Sequence, residues 1–225
     1  MSKADVIERI VNGGVVPVIR ADSKEEARLC IDALVAGGIT VLEITMTVPS
    51  AVELIAELSG EIGDEVLIGA GTVLDEESAG ECIAAGARFI VSPATNFDVI
   101  QYCVDTETVV LPGALTPTEV VNAWDAGADI VKVFPAGSIG GAGYLKSLKA
   151  PLPHIKLIPT GGVSQDTAAD FIRAGAEAVG VGADLVNLKA IREGKPELIT
   201  EAAKKYLDIV NKARASVQGV SNQEG

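Results

Sequence analysis

Ala126-Gly-Ala-Asp-Ile-Val-Lys-Val-Phe-Pro-Ala136 joins the end of a helical pattern to a short β-branched run. Ala126-Gly127 reads as a helix end, with glycine supplying the left-handed residue of a C-cap. Ile130–Phe134 then reads as a strand, apolar throughout except for Lys132. The same junction recurs at Ala36-Gly37, Ala85-Gly86 and Ala174-Gly175, with the glycines 49, 41 and 48 residues apart. These pairs precede the second, fourth, sixth and eighth of eight candidate strands, so one period spans two strand–helix units.

Outward from that junction, the strands are expected at Val15–Arg20, Thr40–Thr45, Val66–Ala70, Arg88–Ser92, Val109–Leu111, Ile130–Phe134, Lys156–Pro159 and Ala178–Val181. Helical patterns follow at Lys24–Val35, Ala51–Leu58, Glu76–Ala85, Phe97–Val104, Pro117–Ala126, Ala142–Leu148, Asp166–Arg173 and Pro196–Ala213. In the first of these helices Ala27, Ile31 and Leu34 share one face. Ser23–Glu26, Ser50–Glu53 and Thr116–Glu119 read as capping boxes, the third with Pro117 at the first helical position. Regular alternation with right-handed crossovers points to a closed (β/α)8 TIM barrel, with a doubly wound sheet as the alternative. Residues 1–215 are expected to form one domain and residues 216–225 a frayed polar tail.

Composition narrows the function. The chain has 225 residues, the usual size of a single barrel, and is 48% hydrophobic but only 4% aromatic. Ala, Val, Ile and Gly suit parallel strands buried on both faces. A net charge of -13 argues against nucleic acid and anionic membranes as partners, while leaving room for an anionic substrate held by local cations. No apolar run is long enough for a membrane span, and the N-terminal stretch carries acids that a secretory signal lacks. Cys30, Cys82 and Cys103 lack metal-type spacing and read as packing residues in a reducing cytosol. With one histidine, His154, a histidine triad or multi-histidine metal site is all but excluded.

Barrel active sites lie at the C-terminal ends of the strands. Lys132 is one candidate there. Apolar surroundings disfavour an ammonium, and attack on a ketone requires the neutral amine. The local sequence equally admits a solvent-facing lysine or one paired for packing. Glu43, in Val41-Leu-Glu-Ile-Thr45, is a general acid/base candidate or half of a structural salt bridge. Gly69-Ala-Gly-Thr72, Thr160-Gly-Gly162 and Gly180-Val-Gly182 are Gly-rich strand ends. The last two are placed where barrels often bind phosphate, although Gly-Gly is also ordinary turn chemistry. Arg20, ending the first strand, is a fixed cation for a carboxylate or phosphate, or a partner in a salt bridge.

At these residues the chain resembles the 2-keto-3-deoxy-6-phosphogluconate / 4-hydroxy-2-oxoglutarate aldolase family. The landmarks are Val15-Val-Pro-Val-Ile-Arg20, Gly38-Ile-Thr-Val-Leu-Glu-Ile-Thr45, Ile68-Gly-Ala-Gly-Thr-Val73, Phe89-Ile-Val-Ser-Pro93, Pro112-Gly-Ala-Leu-Thr-Pro117, Lys132-Val-Phe-Pro-Ala136 and Pro159-Thr-Gly-Gly-Val163. The resemblance implies a cytoplasmic class I aldolase barrel, commonly a homotrimer. Lys132 would be its Schiff-base lysine and Glu43 its proton shuttle. Thr72 would lie near the pyruvate carboxylate, and Thr160, Gly161 and Gly162 would form part of a phosphate site. Pro93, Phe134 and Gly182 join the implied substrate-binding set. Two positions depart from many members: Thr47 stands for an arginine, with Arg20 as the replacement cation, and Ala183 stands for a serine. The implied reaction cleaves a 2-keto-3-deoxy acid to pyruvate and an aldehyde. It needs no metal or cofactor, because the iminium withdraws electrons as a Lewis acid would. A phosphate-binding barrel isomerase and a non-catalytic sugar-acid binder are the competing readings.

Overall fold

The computed structural model of the chain describes residues 1–221, with side chains as far as Val217. The elements run α1 (Lys3–Gly13), β1 (Val15–Ile19), α2 (Lys24–Ala36), β2 (Val41–Thr45), α3 (Ala51–Ile62), β3 (Leu67–Gly71), α4 (Glu76–Ala84), β4 (Phe89–Val91) and α5 (Phe97–Asp105). They continue with β5 (Val109–Leu111), β6 (Gly113–Ala114), α6 (Pro117–Asp125), β7 (Val131–Val133), α7 (Gly141–Lys149), β8 (Leu157–Pro159), α8 (Ala168–Arg173), β9 (Val179–Val181), α9 (Leu188–Arg192) and α10 (Glu197–Ser221).

This is an α/β fold of parallel strands in two curled sheets, ordered β5-β4-β3-β2-β1-β9 and β6-β7-β8. A parallel bridge pairs Thr160, just past β8, with Gly180 in β9. The order lacks the reversal of a doubly wound sheet, since strands lie beside their chain neighbours and β1 pairs with β9. The expected fifth strand forms at Val109–Leu111, and beyond Pro112, which has no N–H to donate, an unexpected short strand β6 follows.

Alternation along the strands divides the molecule into two cores. Leu42 and Ile44, Ile68 and Ala70, and Val131 and Val133 pack outward among the helices. Val16, Val41, Leu67, Phe89, Val109, Ile130, Ile158 and Ala178 form a separate inner core drawn from both sheets. Val6 and Ile10 of α1 close that core at the N-terminal ends of the strands. Helix α1 lies outside the expected helices. A capping box between Ser2 and Asp5 starts it, and only Val6 and Ile10 of its residues are buried, too sparse a stripe to register as a period.

Three recurring glycines are left-handed as expected: Gly86 (φ 106), Gly127 (φ 108) and Gly175 (φ 97). At the first junction the left-handed residue is Gly38 (φ 92), and Gly37 is right-handed. The following N–H groups of Ile39, Ala87, Ala128 and Ala176 reach back to Leu34, Cys82, Ala123 and Phe171, closing four Schellman-type ends. Of the three expected capping boxes only Thr116–Glu119 forms completely. Ser23 accepts from the Glu26 N–H, but the Glu26 carboxylate turns to the N–H of Asp22. Ser50 adopts φ 55 and its side chain caps nothing. Residues 216–221, placed in a frayed tail by composition, continue α10, and residues 222–225 lie outside the described residues. No described helix is long and apolar enough to cross a membrane.

Candidate active site

Period-two alternation aims every second residue of a strand inward. On β7 this rule turns Lys132 away from its neighbours Val131 and Val133, which pack among the helices. Its N–H donates to the carbonyl of Pro112 at 2.9 Å, which fixes the register of this strand. On β2 the same rule turns Glu43 inward, opposite Val18 in β1 and Gly69 in β3. Lys132 Nζ and Glu43 Oε1 meet at 3.5 Å, each side chain 4% exposed, although 89 residues and two sheets separate them. A buried charge pair is tolerated only where its geometry is constrained, and here the strands supply the constraint. The Phe134 ring, next but one on β7's continuation, has its centroid 5.5 Å from Nζ.

Glycines make the room. A Cβ on Gly71 would lie 2.1 Å from Glu43 Oε1, so the Glu43 carboxylate occupies space that only glycine vacates. A Cβ on Gly180 would lie 2.1 Å from Thr160 Oγ1. Gly71 was read only as part of a Gly-rich strand end, but glycine inside a strand is itself a signal of close approach.

Phe134 links the pair to a cavity of about 700 Å³, which it lines with Arg20, Thr160, Gly161, Gly162, Gly182, Ala183 and Asp184, while Lys132 and Glu43 themselves are not among its lining residues. Ser164, Asn187 and Leu188 also line it and were not among the expected site residues. Asn187 Oδ1 caps α9 by accepting from the Ala190 N–H, and α9 itself was not expected. The loop after β8 is held open by Gly161 (φ 82) and Gly162 (φ 79) and pinned by Gly137 N–H donating to Gly161 O at 2.8 Å. Among the described residues the N–H groups of Gly162 and Ala183 donate to nothing, and the Arg20 side chain has no hydrogen-bond or ion-pair partner. Phe134 also walls a second cavity of about 400 Å³, which Pro93 lines with Thr95, Gly113 and Leu115.

Besides Lys132 and Glu43, two expected residues, Thr47 and Thr72, line neither cavity. Thr47 is exposed, and its hydroxyl lies 2.6 Å from that of Thr45, which donates to Ile19 O at 2.9 Å. Thr72 is half-buried just past β3 with a left-handed backbone (φ 59). The three thiols are free and buried, away from the site. Burial pushes Cys30 and Cys82 up to about 11 and Cys103 up to about 12.

Comparison with known proteins gives a consistent picture. The family model described as "Aldolase: KDPG and KHG aldolase" matches residues 6–202. A 2-dehydro-3-deoxy-phosphogluconate aldolase of Treponema pallidum is 33% identical over 205 residues, 91% of this chain and 97% of its own. A KHG/KDPG aldolase of Escherichia coli K12 is 32% identical over 199 residues, covering 88% and 93% of the two chains. Among solved structures, KDPG aldolase from Legionella pneumophila, with pyruvate captured as a covalent carbinolamine intermediate, superposes with a TM-score of 0.82 at 32% identity, covering 91% of this chain and 97% of that one.

Proposed function

The chain belongs to the KDPG and KHG aldolase family and is an aldehyde-lyase, and from that premise we propose that Lys132 forms the Schiff base through which it splits 2-dehydro-3-deoxy-6-phosphogluconate into pyruvate and glyceraldehyde 3-phosphate. The observation that carries this reading is the buried contact of Lys132 Nζ with Glu43 at 3.5 Å, beside Phe134, which walls the cavity of about 700 Å³. The amine attacks the C2 ketone, and loss of water gives a protonated imine. Glu43, relayed by a water, takes the C4 hydroxyl proton. The C3–C4 bond then breaks, the aldehyde departs, and its bonding electrons pass into an enamine. Protonation at C3 and hydrolysis release pyruvate and restore Lys132. The same steps cleave 4-hydroxy-2-oxoglutarate to pyruvate and glyoxylate.

The uncommitted N–H groups of Gly162 and Ala183 and the unpaired Arg20 suit the phosphoryl end of the substrate, with Thr160, Gly161 and Gly182 shaping its seat. Pro93 and Phe134 would wall the pyruvate end, with Thr72 near its carboxylate, and Thr47 would leave Arg20 as the cation of the site. That combination also favours a second reading, the galactonate epimer or an unphosphorylated analogue as substrate. Cleavage kinetics on each epimer with and without phosphate separate the two. The proposal expects kcat/KM for phosphorylated gluconate-derived acid to exceed that for its unphosphorylated partner by roughly 100-fold or more. Equal values would overturn the phosphate assignment.

We further infer that the two sheets are one closed (β/α)8 barrel. Asp129 N–H donates to Val110 O and Lys132 N–H to Pro112 O, so β5 and β6 behave as one strand alongside β7. Residues 1–215 then make one domain, which functions as a homotrimer. Leu74 and Phe97, each 56% exposed, supply apolar surface for a neighbouring subunit. Three unpaired thiols suit a reducing cytoplasm.

A further inference from the structure

Arg20 is the cation among the lining residues of the larger cavity, and it stands in acidic surroundings. Asp184 lines the same cavity. Asp22 lies two residues beyond Arg20 in the chain, and Glu26 is tied to the Asp22 backbone, its Oε2 accepting the N–H of Asp22 at 3.2 Å. A flexible guanidinium this near in the chain to two carboxylates has them as natural pairing partners. Arg20 pairs with neither, and makes no ion pair among the described residues.

A second arginine accounts for this. Arg192 Nε donates to Glu26 Oε1 at 2.6 Å, while Nη2 donates to Glu26 Oε2 at 3.1 Å and to Asp22 Oδ2 at 2.6 Å. The pairing holds the Glu26 carboxyl below the usual carboxylate range. Asp184, for its part, accepts from the Tyr206 hydroxyl. Each of the three carboxylates thus has a partner other than Arg20. Arg192 closes α9, the helix whose Asn187 cap and Leu188 line the cavity.

We propose that Arg192 is a positioning residue that keeps Arg20 available to the phosphorylated end of the substrate by occupying Asp22 and Glu26. The inference rests on the reading above that the larger cavity seats that end. Arg192 is 50% and Asp22 81% exposed, so the pair itself adds little to folding stability. Its effect falls on substrate affinity. With Arg192 gone, Arg20 pairs with the released carboxylates, and the phosphate must first displace them.

Steady-state cleavage of 2-dehydro-3-deoxy-6-phosphogluconate by four full-length proteins tests this, with thermal melting to verify folding. The four are wild type, Arg20→Met, Arg192→Met, and Arg192→Met combined with Asp22→Asn and Glu26→Gln. Arg20→Met is expected to raise KM by roughly tenfold or more, and an unchanged KM would sink the reading of the cavity instead. Arg192→Met is expected to raise KM roughly fivefold with kcat within about twofold of wild type. The triple variant is expected to recover a KM near wild type, because no carboxylate remains to capture Arg20. Two results overturn the proposal while leaving the cavity reading intact. One is a wild-type KM in Arg192→Met when Arg20→Met is impaired. The other is a triple variant no better than Arg192→Met, which would mean that Arg192 merely ties α9 to the loop before α2.

Discussion

At Gly71 a single added methyl group would meet the Glu43 carboxylate at 2.1 Å. Gly71→Ala should therefore displace Glu43 from Lys132 and lower kcat by roughly tenfold or more, beyond the overpacking cost of about 1–3 kcal/mol. Glu43→Gln, which keeps the shape, should slow turnover by roughly 100-fold or more with pyruvate affinity retained. Stopped-flow turnover and pyruvate titration measure both, and unchanged turnover in Glu43→Gln would remove the shuttle role. Lys132 and Glu43 are legible as ionisable residues within apolar strand runs, and only the family resemblance pairs them, because nothing local records that strands 89 residues apart face each other. Gly71 was visible as a glycine, while its role depends on the Glu43 rotamer. Arg192 carried no signal at all: its partners Asp22 and Glu26 lie 170 and 166 residues away.

Helix α6 shows what local chemistry does specify. Thr116 accepts from the Glu119 N–H, and the Glu119 carboxylate accepts from the N–H groups of Thr116 and Leu115 at 2.8 and 2.7 Å. Those backbone donors hold the Glu119 carboxyl below its usual value of 4.5. A lowered value in the folded state means that its contribution is present above 4.5 and fades as the pH falls through the folded-state value. Glu119→Gln should accordingly lower Tm at pH 7, with the difference from wild type closing in acid below 4.5. A difference constant with pH would refute the role of the carboxylate. Caps and Gly ends of this kind depend on a few adjacent residues, so the strand–helix alternation and three of four C-cap glycines were readable from sequence. The exceptions have local causes. Gly38 takes the left-handed turn one residue beyond Gly37, Ser50 enters α3 with a left-handed backbone, and the pairing resumes past Pro112 in the unexpected β6. Helix α1 was not readable, since its purpose is to plug a core assembled from distant strands.

For the whole molecule, the consequential feature is the shared inner core of the two sheets, which sets β2 and β7 face to face. The pairing of β1 with β9 joins strands from opposite ends of the chain, and periodicity anticipates it only by elimination of the open sheet. Assembly is a further step. Sedimentation equilibrium should give about three times the chain mass of 23.1 kDa, and Leu74→Asp with Phe97→Asp should shift it toward one. A monomeric wild type would contradict the trimer. The central claim is the covalent one. Borohydride reduction in the presence of pyruvate, followed by peptide mass mapping, should leave a stable adduct on the peptide carrying Lys132 and none in Lys132→Met. An adduct on another lysine, or one that persists in Lys132→Met, would contradict the account.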